Sequence, residues 1–330
     1  MRRYVWITGI PVFLGMLVLI LDSRCALESS TEALLLCTAT VIPSLFPFLF
    51  FSGLITRTFW GNPGRIMRLA GKVLNIPSGA ESIVVPGFLG GYPAGAQAIG
   101  NAFRTGRLER QDAQKMLSFC NNAGPAFLFG MVGPMFPEKW MVWHLWIIHM
   151  ISAALTGVFY SFSEKSHVFL PEKRMSLSEN LTDTIKIMGI ICGWIILFRI
   201  GIGYLDRWFL WIFPETVQTV IWGFLELSNG CCALSQIDSI PVRFVVCSAM
   251  LSFGGVCVAM QTASVSQGLS TLYFLRGKFI QTAISICLAL CTIQGYGNAA
   301  VLAAISFLIL WKNLKKEVAF RKFSVYNGTK

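Results

Sequence analysis

Three short stretches place polar groups or backbone irregularities inside otherwise apolar sequence. Asn121-Asn122 is followed by Gly124-Pro125, and that proline removes an amide donor and clashes with the turn before it. A helix broken there frees carbonyl oxygens beside two carboxamides, which suits a polar solute or a cation. The same amides would equally serve a simple kink, by bonding to neighbouring helices. Gly90-Gly91-Tyr92-Pro93-Ala94-Gly95 would let a tight turn bring backbone close to a solute. A half-helix starting after Pro93 would aim free N–H groups at that turn and favour an anion, while Gly91 and Gly95 also have the spacing of close helix packing. Glu226, next to Ser228 and Asn229, puts a carboxylate in an apolar stretch. There it is costly unless it couples a proton or Na+, binds a solute hydroxyl, or meets an ion partner, for which Arg199 is the expected residue. Gln261 and Thr262 follow Gly254-Gly255 and would line the same cavity or bond between helices. The expected solute site is therefore Gly91, Tyr92, Pro93, Gly95, Asn121, Asn122, Glu226, Ser228, Asn229 and Gln261, with Glu226 and Arg199 for ion coupling or a charge pair.

The chain around these residues is a membrane composition. Of 330 residues, 55% are apolar and 13% charged, and the mean hydropathy is +0.63. Soluble domains run at about 25% charged, and disorder needs low hydrophobicity, so both classes are excluded. No GxGxxG, Walker A, HExxH or GxSxG occurs, and no enzymatic activity, cofactor or metal is expected. Without a nucleotide-binding loop, transport would be driven by a gradient or by a separate energy source. The ten cysteines include no CxxC and lie mostly in apolar runs, so they read as buried thiols. His144 and His149 flank Trp146 and are expected in an interfacial aromatic belt.

A hydrocarbon core takes about 20 apolar residues per helix. Spans are expected at Tyr4–Leu21, Ala33–Thr56, Met116–Pro137, Trp140–Phe162, Thr184–Leu205 and Phe244–Phe274. Phe279–Trp311 is too long for one span and is divided by the turn signal Gln294-Gly295-Tyr296-Gly297-Asn298. Two further apolar stretches are interrupted by Gly, Pro or polar residues. Arg57, Arg65, Arg68 and Lys72 precede the first, and Arg104, Arg107, Arg110 and Lys115 follow it. Basic flanks on both sides place both ends in the cytoplasm, so residues 80–103 are expected to enter the membrane and return as a re-entrant hairpin. The second, 212–238, has weakly charged flanks and is expected to enter from outside. Of the 27 basic residues, 21 (Lys278 included) fall in segments assigned to the cytoplasm, as do both termini. The net charge of +11 therefore reports orientation and contact with anionic lipid, not nucleic acid.

The halves also resemble each other. Gly87-Phe88-Leu89 recurs as Gly223-Phe224-Leu225, and Leu117-Ser118-Phe119 as Leu251-Ser252-Phe253, at nearly equal offsets. The expected fold is an all-α integral membrane protein of about eight transmembrane helices plus two re-entrant helical hairpins, arranged as an inverted repeat. Its parts are an anchor helix (1–32), repeat 1 (33–162), a cytoplasmic linker (163–183), repeat 2 (184–294), a last helix (295–311) and a basic cytoplasmic tail (312–330).

The runs Ile42-Pro43-Ser44-Leu45-Phe46-Pro47-Phe48, Gly91-Tyr92-Pro93-Ala94-Gly95-Ala96 and Leu117 through Pro125 resemble the sporulation integral membrane proteins of the YlbJ-like group. Leu225-Glu226-Leu227-Ser228-Asn229-Gly230 and Ser252-Phe253-Gly254-Gly255 through Gln261 fit the same pattern. That group belongs to the nucleoside-recognition (Gate) domain family, which is distantly similar to concentrative nucleoside transporters. The resemblance implies two inverted repeats, each with a hairpin and a broken helix, around a central site. For the sporulation group it further implies export of a small anion, dipicolinic acid, towards the forespore. The expected function is movement of a small polar, anionic solute, dipicolinate-type or nucleoside-like, by alternating access in the cell membrane. The alternative is a non-transporting membrane scaffold or assembly protein in sporulation. Expected partners are the solute, a coupling ion (a proton or Na+) and anionic lipids, and a homo-oligomer is compatible with the chain.

Overall fold

A computed structural model describes residues 2–74, 76–160 and 176–311, and every regular element among them is helical. The basic tail, and Lys165, Lys173 and Arg174 of the expected linker, lie outside the described residues. Helix α1 (Arg2–Leu21) leads into α2 (Ser23–Thr58), a 36-residue helix. The Asp22 side chain caps α2 by accepting from the Cys25 amide, and Arg24 pairs with Glu28 one turn on. The anchor boundary expected at residue 32 thus falls inside a continuous helix. The polar run Glu28–Glu32 stays helical because it packs on a partner: Glu32 reaches Arg199, and Ser29 lies against Gly203. Within α2, Cys37–Val41 form a π-turn, and Pro47 removes a further amide from the ladder.

Short elements follow. They are α3 (Arg65–Val73), α4 (Val84–Phe88), α5 (Ala94–Arg104), α6 (Arg110–Leu117) and α7 (Pro125–Met135, with a π-turn at Leu128–Val132). Helices α4 and α5 are two arms joined by the turn at residues 89–93. Helices α6 and α7 are one path broken over residues 118–124, with Pro125 opening α7, where its missing amide costs nothing. Helix α8 (Lys139–Val158) completes the first half.

The second half repeats this succession. Helix α9 (Leu177–Trp208) starts on a capping box between Ser176 and Glu179, so the last residues of the expected linker are already helical. Helices α10 (Glu215–Leu225) and α11 (Leu227–Cys232) meet at Glu226. Helices α12 (Ile240–Phe253) and α13 (Gly255–Val265) are broken at Gly254-Gly255, both left-handed at φ +81° and +84°. Helix α14 (Thr271–Ile293) and α15 (Gly297–Trp311) divide at Gln294-Gly295-Tyr296, where the sequence signals a turn.

Five stretches are long and apolar enough to cross a membrane: α2, α8, α9, Ile240–Val265 and α14. Shorter apolar helices stand beside them at Val12–Leu21, Pro125–Met135 and Gly297–Trp311. The expected span ending at Phe274 stops instead at Val265, and the next helix begins at Thr271, eight residues ahead of its expected start at Phe279. Lys278, assigned above to a cytoplasmic flank, is consequently inside α14 and fully buried.

Helices α2 and α9 run antiparallel, tied by Arg57 to Asp183 (3.0 Å) at one end and by Glu32 to Arg199 near the other. Helices α8, α12 and α14 pack together on the opposite side, and the breaks and hairpin tips meet between the two groups. Close approach there depends on glycine. A Cβ at Gly95 would overlap the Cys120 carbonyl oxygen, and one at Gly277 would overlap that of Ser118. These two glycines let the unwound 118–124 segment run between α5 and α14.

Candidate functional site

The unwound segment exposes backbone groups that no helix satisfies, and buried groups of that kind need partners. The Asn122 and His149 side chains supply partners at Phe119 and Ala123, and side chains of α13 and α14 complete the network. Asn122 is fully buried, and its Nδ2 donates to the carbonyls of Gly87 (2.9 Å) and Phe119 (2.6 Å). Its Oδ1 accepts from Lys278 Nζ (3.1 Å) and Gln281 Nε2 (3.0 Å). Asn121 Oδ1 accepts from the Ala96 amide at 3.3 Å, and its Nδ2 donates to Thr262 Oγ1 at 3.0 Å. His149 Nε2 accepts from the Ala123 amide (3.0 Å), which leaves the proton on Nδ1 to donate to Ser252 Oγ (3.3 Å). His149 is therefore not part of an interfacial belt: it is 1% exposed and bridges the two broken helices. His144, by contrast, is half-buried and edge-on to Trp140.

Lys278 is the group the sequence reading misplaced. Its ammonium also donates to Gln281 Oε1 (2.7 Å), and it stands over the rings of Tyr92 (5.1 Å) and Phe274 (5.6 Å). Among the described residues no carboxylate lies within ion-pair distance of it. One signal was present in the sequence: Lys278, Gln281 and Ser285 recur at helical spacing on one face of α14, and all three are buried.

Tyr92 joins this network to a cavity. Its hydroxyl donates to the Leu251 carbonyl (3.2 Å), fixing the tip of the first hairpin against the second break. The other side of the tip, Gly91, touches Gly124 of the first break. The cavity holds about 30 Å³ and is lined by Tyr92, Glu226, Ser228 and Gln261, together with Val41 and Leu45 of α2 and Ile191 and Ile195 of α9. A water needs roughly 10–15 Å³ on this measure, so the space fits a couple of waters and no organic solute. The Glu226 carboxylate accepts from the Ser228 amide (3.0 Å), the Asn229 amide (2.8 Å) and Asn229 Nδ2 (2.7 Å). It thereby caps α11 at the tip of the second hairpin.

Four expected site residues, Tyr92, Glu226, Ser228 and Gln261, thus line one cavity. Gly91 and Gly95 pack against the first break, and Pro93 leads into α5. Asn121 and Asn122 do not line this cavity and bond instead within the network around the first break. Asn229 lies in a neighbouring cavity, and Arg199 does not reach Glu226: it bonds Glu32 (Nε, 3.1 Å) and Asp206 (3.4 Å). The expected charge pair is replaced because Glu226 is already satisfied at its own helix start.

Two further cavities continue the first along the same pair of helices. One, about 350 Å³, is lined by Glu32 and Leu36 of α2, Arg199, Ile202 and Asp206 of α9, and Trp222 and Asn229 of the second hairpin. The other, about 40 Å³, is lined by Ser52, Thr56 and Arg57 of α2, Asn180, Asp183 and Thr184 of α9, and Gln97 and Asn101 of the first hairpin. From Glu32 to Thr56 is about 36 Å of helix, against about 30 Å of membrane hydrocarbon.

No protein-family model matches the chain, and no solved structure matches it. The chain is similar to the sporulation integral membrane protein YlbJ of Bacillus subtilis (strain 168), at 23% identity over 343 aligned positions. The alignment covers 88% of this chain and 79% of that protein. With its apolar helices, the chain is a membrane protein distantly related to YlbJ.

Proposed function

We propose that the chain is a multi-pass transporter of a small polar solute, working by alternating access in the cell membrane of a sporulating cell. One observation carries the reading: three cavities lie in order along α2 and α9, and the two hairpin tips close the middle one. The cavity residues on α2 advance from Glu32 through Leu45 to Thr56, while those on α9 retreat from Asp206 through Ile191 to Asp183. A packed bundle with a purely scaffolding role has no need of buried Glu226, Gln261 and Lys278 on or beside such a track. The repeated succession of long helix, hairpin, broken helix and closing helix supports an inverted repeat with eight spans. So does the packing of Gly87 on the first break and of Gly223 beside the second. Basic flanks around the first hairpin support a cytoplasmic position for the Arg57 end and for both termini.

The solute class is taken from the sequence resemblance: a dipicolinate-type carboxylate or a nucleoside-like molecule, with a proton or Na+ as coupling ion. The sporulation setting rests on the name of the B. subtilis relative. The test is uptake of labelled dipicolinate and of labelled uridine into proteoliposomes. Flux above that of empty liposomes is expected for one of them. Leu45→Trp, which would fill the middle cavity, should lower that flux at least tenfold while the protein stays inserted and monodisperse. Equal flux in Leu45→Trp and wild type, or none with either solute, would refute the assignment.

A further inference from the structure

Away from the track, α10, α12 and α14 leave a groove of about 230 Å³ between them. Its walls are Val220 and Phe224 of α10, Val246 and Phe253 of α12, and Phe279 and Thr282 of α14. Phe253 stacks on Phe224 at 4.9 Å and leans on Phe279 at 5.5 Å. Phe224 and Phe279 are 49% and 60% exposed, so the groove opens sideways onto the apolar surface that membrane hydrocarbon covers. Among the described residues Thr282 is the one polar side chain in the walls, and its hydroxyl donates to the Lys278 carbonyl (2.7 Å). The walls therefore offer water no free side-chain partner. An apolar space of about 150 Å³, smaller than this one, stays dry and takes a hydrocarbon.

The mouth of the groove carries a charge. Arg276, Phe279 and Thr282 recur at helical spacing, which sets all three on one face of α14. Arg276 is exposed and, among the described residues, makes no ion pair. It stands about one and a half turns from the start of α14 at Thr271. From there an arginine stem lies along apolar surface while its guanidinium reaches the headgroup layer. An apolar slot below an unpaired guanidinium matches the two ends of an anionic lipid, hydrocarbon for the slot and phosphate for the charge.

We infer that an anionic phospholipid binds here, with one acyl chain between α10 and the α12–α14 pair and its phosphate on Arg276. Gly223 of α10 also lines the groove, and it lies against Met250 of α12 and Gly230 of α11. A chain in the groove thus presses the second hairpin onto the helix that ends at the second break. The inference rests on the membrane location of these helices and stands whether or not the chain moves a solute.

The experiment is photo-crosslinking in proteoliposomes with a phosphatidylglycerol that carries a diazirine on its acyl chain, the adducts being mapped by mass spectrometry. Adducts should concentrate on the groove walls of α10, α12 and α14. Unlabelled phosphatidylglycerol should compete about fivefold better than phosphatidylcholine with the same chains, the ratio one basic residue near an anionic headgroup gives. Arg276→Gln should abolish that preference, and Arg276→Lys should keep it. Ala249→Phe, which fills the groove, should remove the groove adducts and leave those on other helices. Arg276 is exposed, so its two variants carry the test if Ala249→Phe does not fold. Adducts spread evenly over the exposed helices, or equal competition by the two lipids in wild type, would mean boundary lipid only and overturn the inference. Disulfide cross-linking of Phe279→Cys between two chains, with no lipid adduct in the groove, would assign the groove to a second copy and overturn it as well.

Discussion

Asn122→Leu is expected to destabilise the protein by about 3 kcal/mol, since each buried donor or acceptor it leaves unpaired costs about 1–3 kcal/mol. Asn122 is the hub of the polar core: it receives two donors, from Lys278 and Gln281, and supplies donors to two carbonyls, of Gly87 and Phe119. Leucine keeps much of the volume and deletes all four bonds. Among the described residues the Lys278 side chain is then left with Gln281 as its one oxygen partner. Thermal or denaturant unfolding in detergent would read the loss. The double variant Asn122→Leu/Lys278→Met should recover more than half of it, since replacing both partners by apolar groups costs far less than orphaning one. A cost under about 1 kcal/mol for Asn122→Leu would mean that the polar core does not hold the break.

Glu226→Gln is expected to reduce flux at least tenfold while the protein remains inserted and its Tm shifts by no more than about 3 °C. The two carboxylate oxygens serve the Ser228 and Asn229 amides separately. Glutamine keeps one acceptor and turns its NH2 towards donors, so the cap is weakened by about 1 kcal/mol rather than lost. What disappears is the only carboxylate among the described residues that line the middle cavity. An ion-coupling role needs that charge, and a purely structural cap does not. Flux at the wild-type level in Glu226→Gln, with the cap intact, would reduce Glu226 to a capping residue.

The two results separate features that the sequence displayed from those that folding alone creates. Both breaks and the first hairpin turn were legible, because Gly90-Gly91, Gly124-Pro125 and Gly254-Gly255 disrupt apolar runs in ways that few folds tolerate. The turn at Gln294-Gly295-Tyr296 was legible for the same reason. Side-chain partners were not. Lys278 reads as the flank of a span, since a charge before an apolar run normally marks the membrane surface. It is buried only because Asn122, 156 residues earlier in the chain, offers an acceptor, and that pairing has no local signature. Arg199 was matched to the one acid expected at membrane depth, whereas its partner Glu32 lies in the polar run between two expected spans. His149 shares an aromatic-rich helix with His144, and composition does not tell a surface histidine from one that accepts a backbone amide. In each case the sequence announced that a polar group needed satisfying, and tertiary contact decided by what.

The most direct measurement of the central claim is labelling of Gln261→Cys, in a chain whose native cysteines have been replaced, with a membrane-impermeant thiol reagent. Gln261 lines the middle cavity between the two hairpin tips and is 3% exposed. A track that opens alternately predicts modification from either face of sealed, oriented vesicles, and slower modification from both faces when the transported solute is present. Modification from one face only, or from neither, would contradict it.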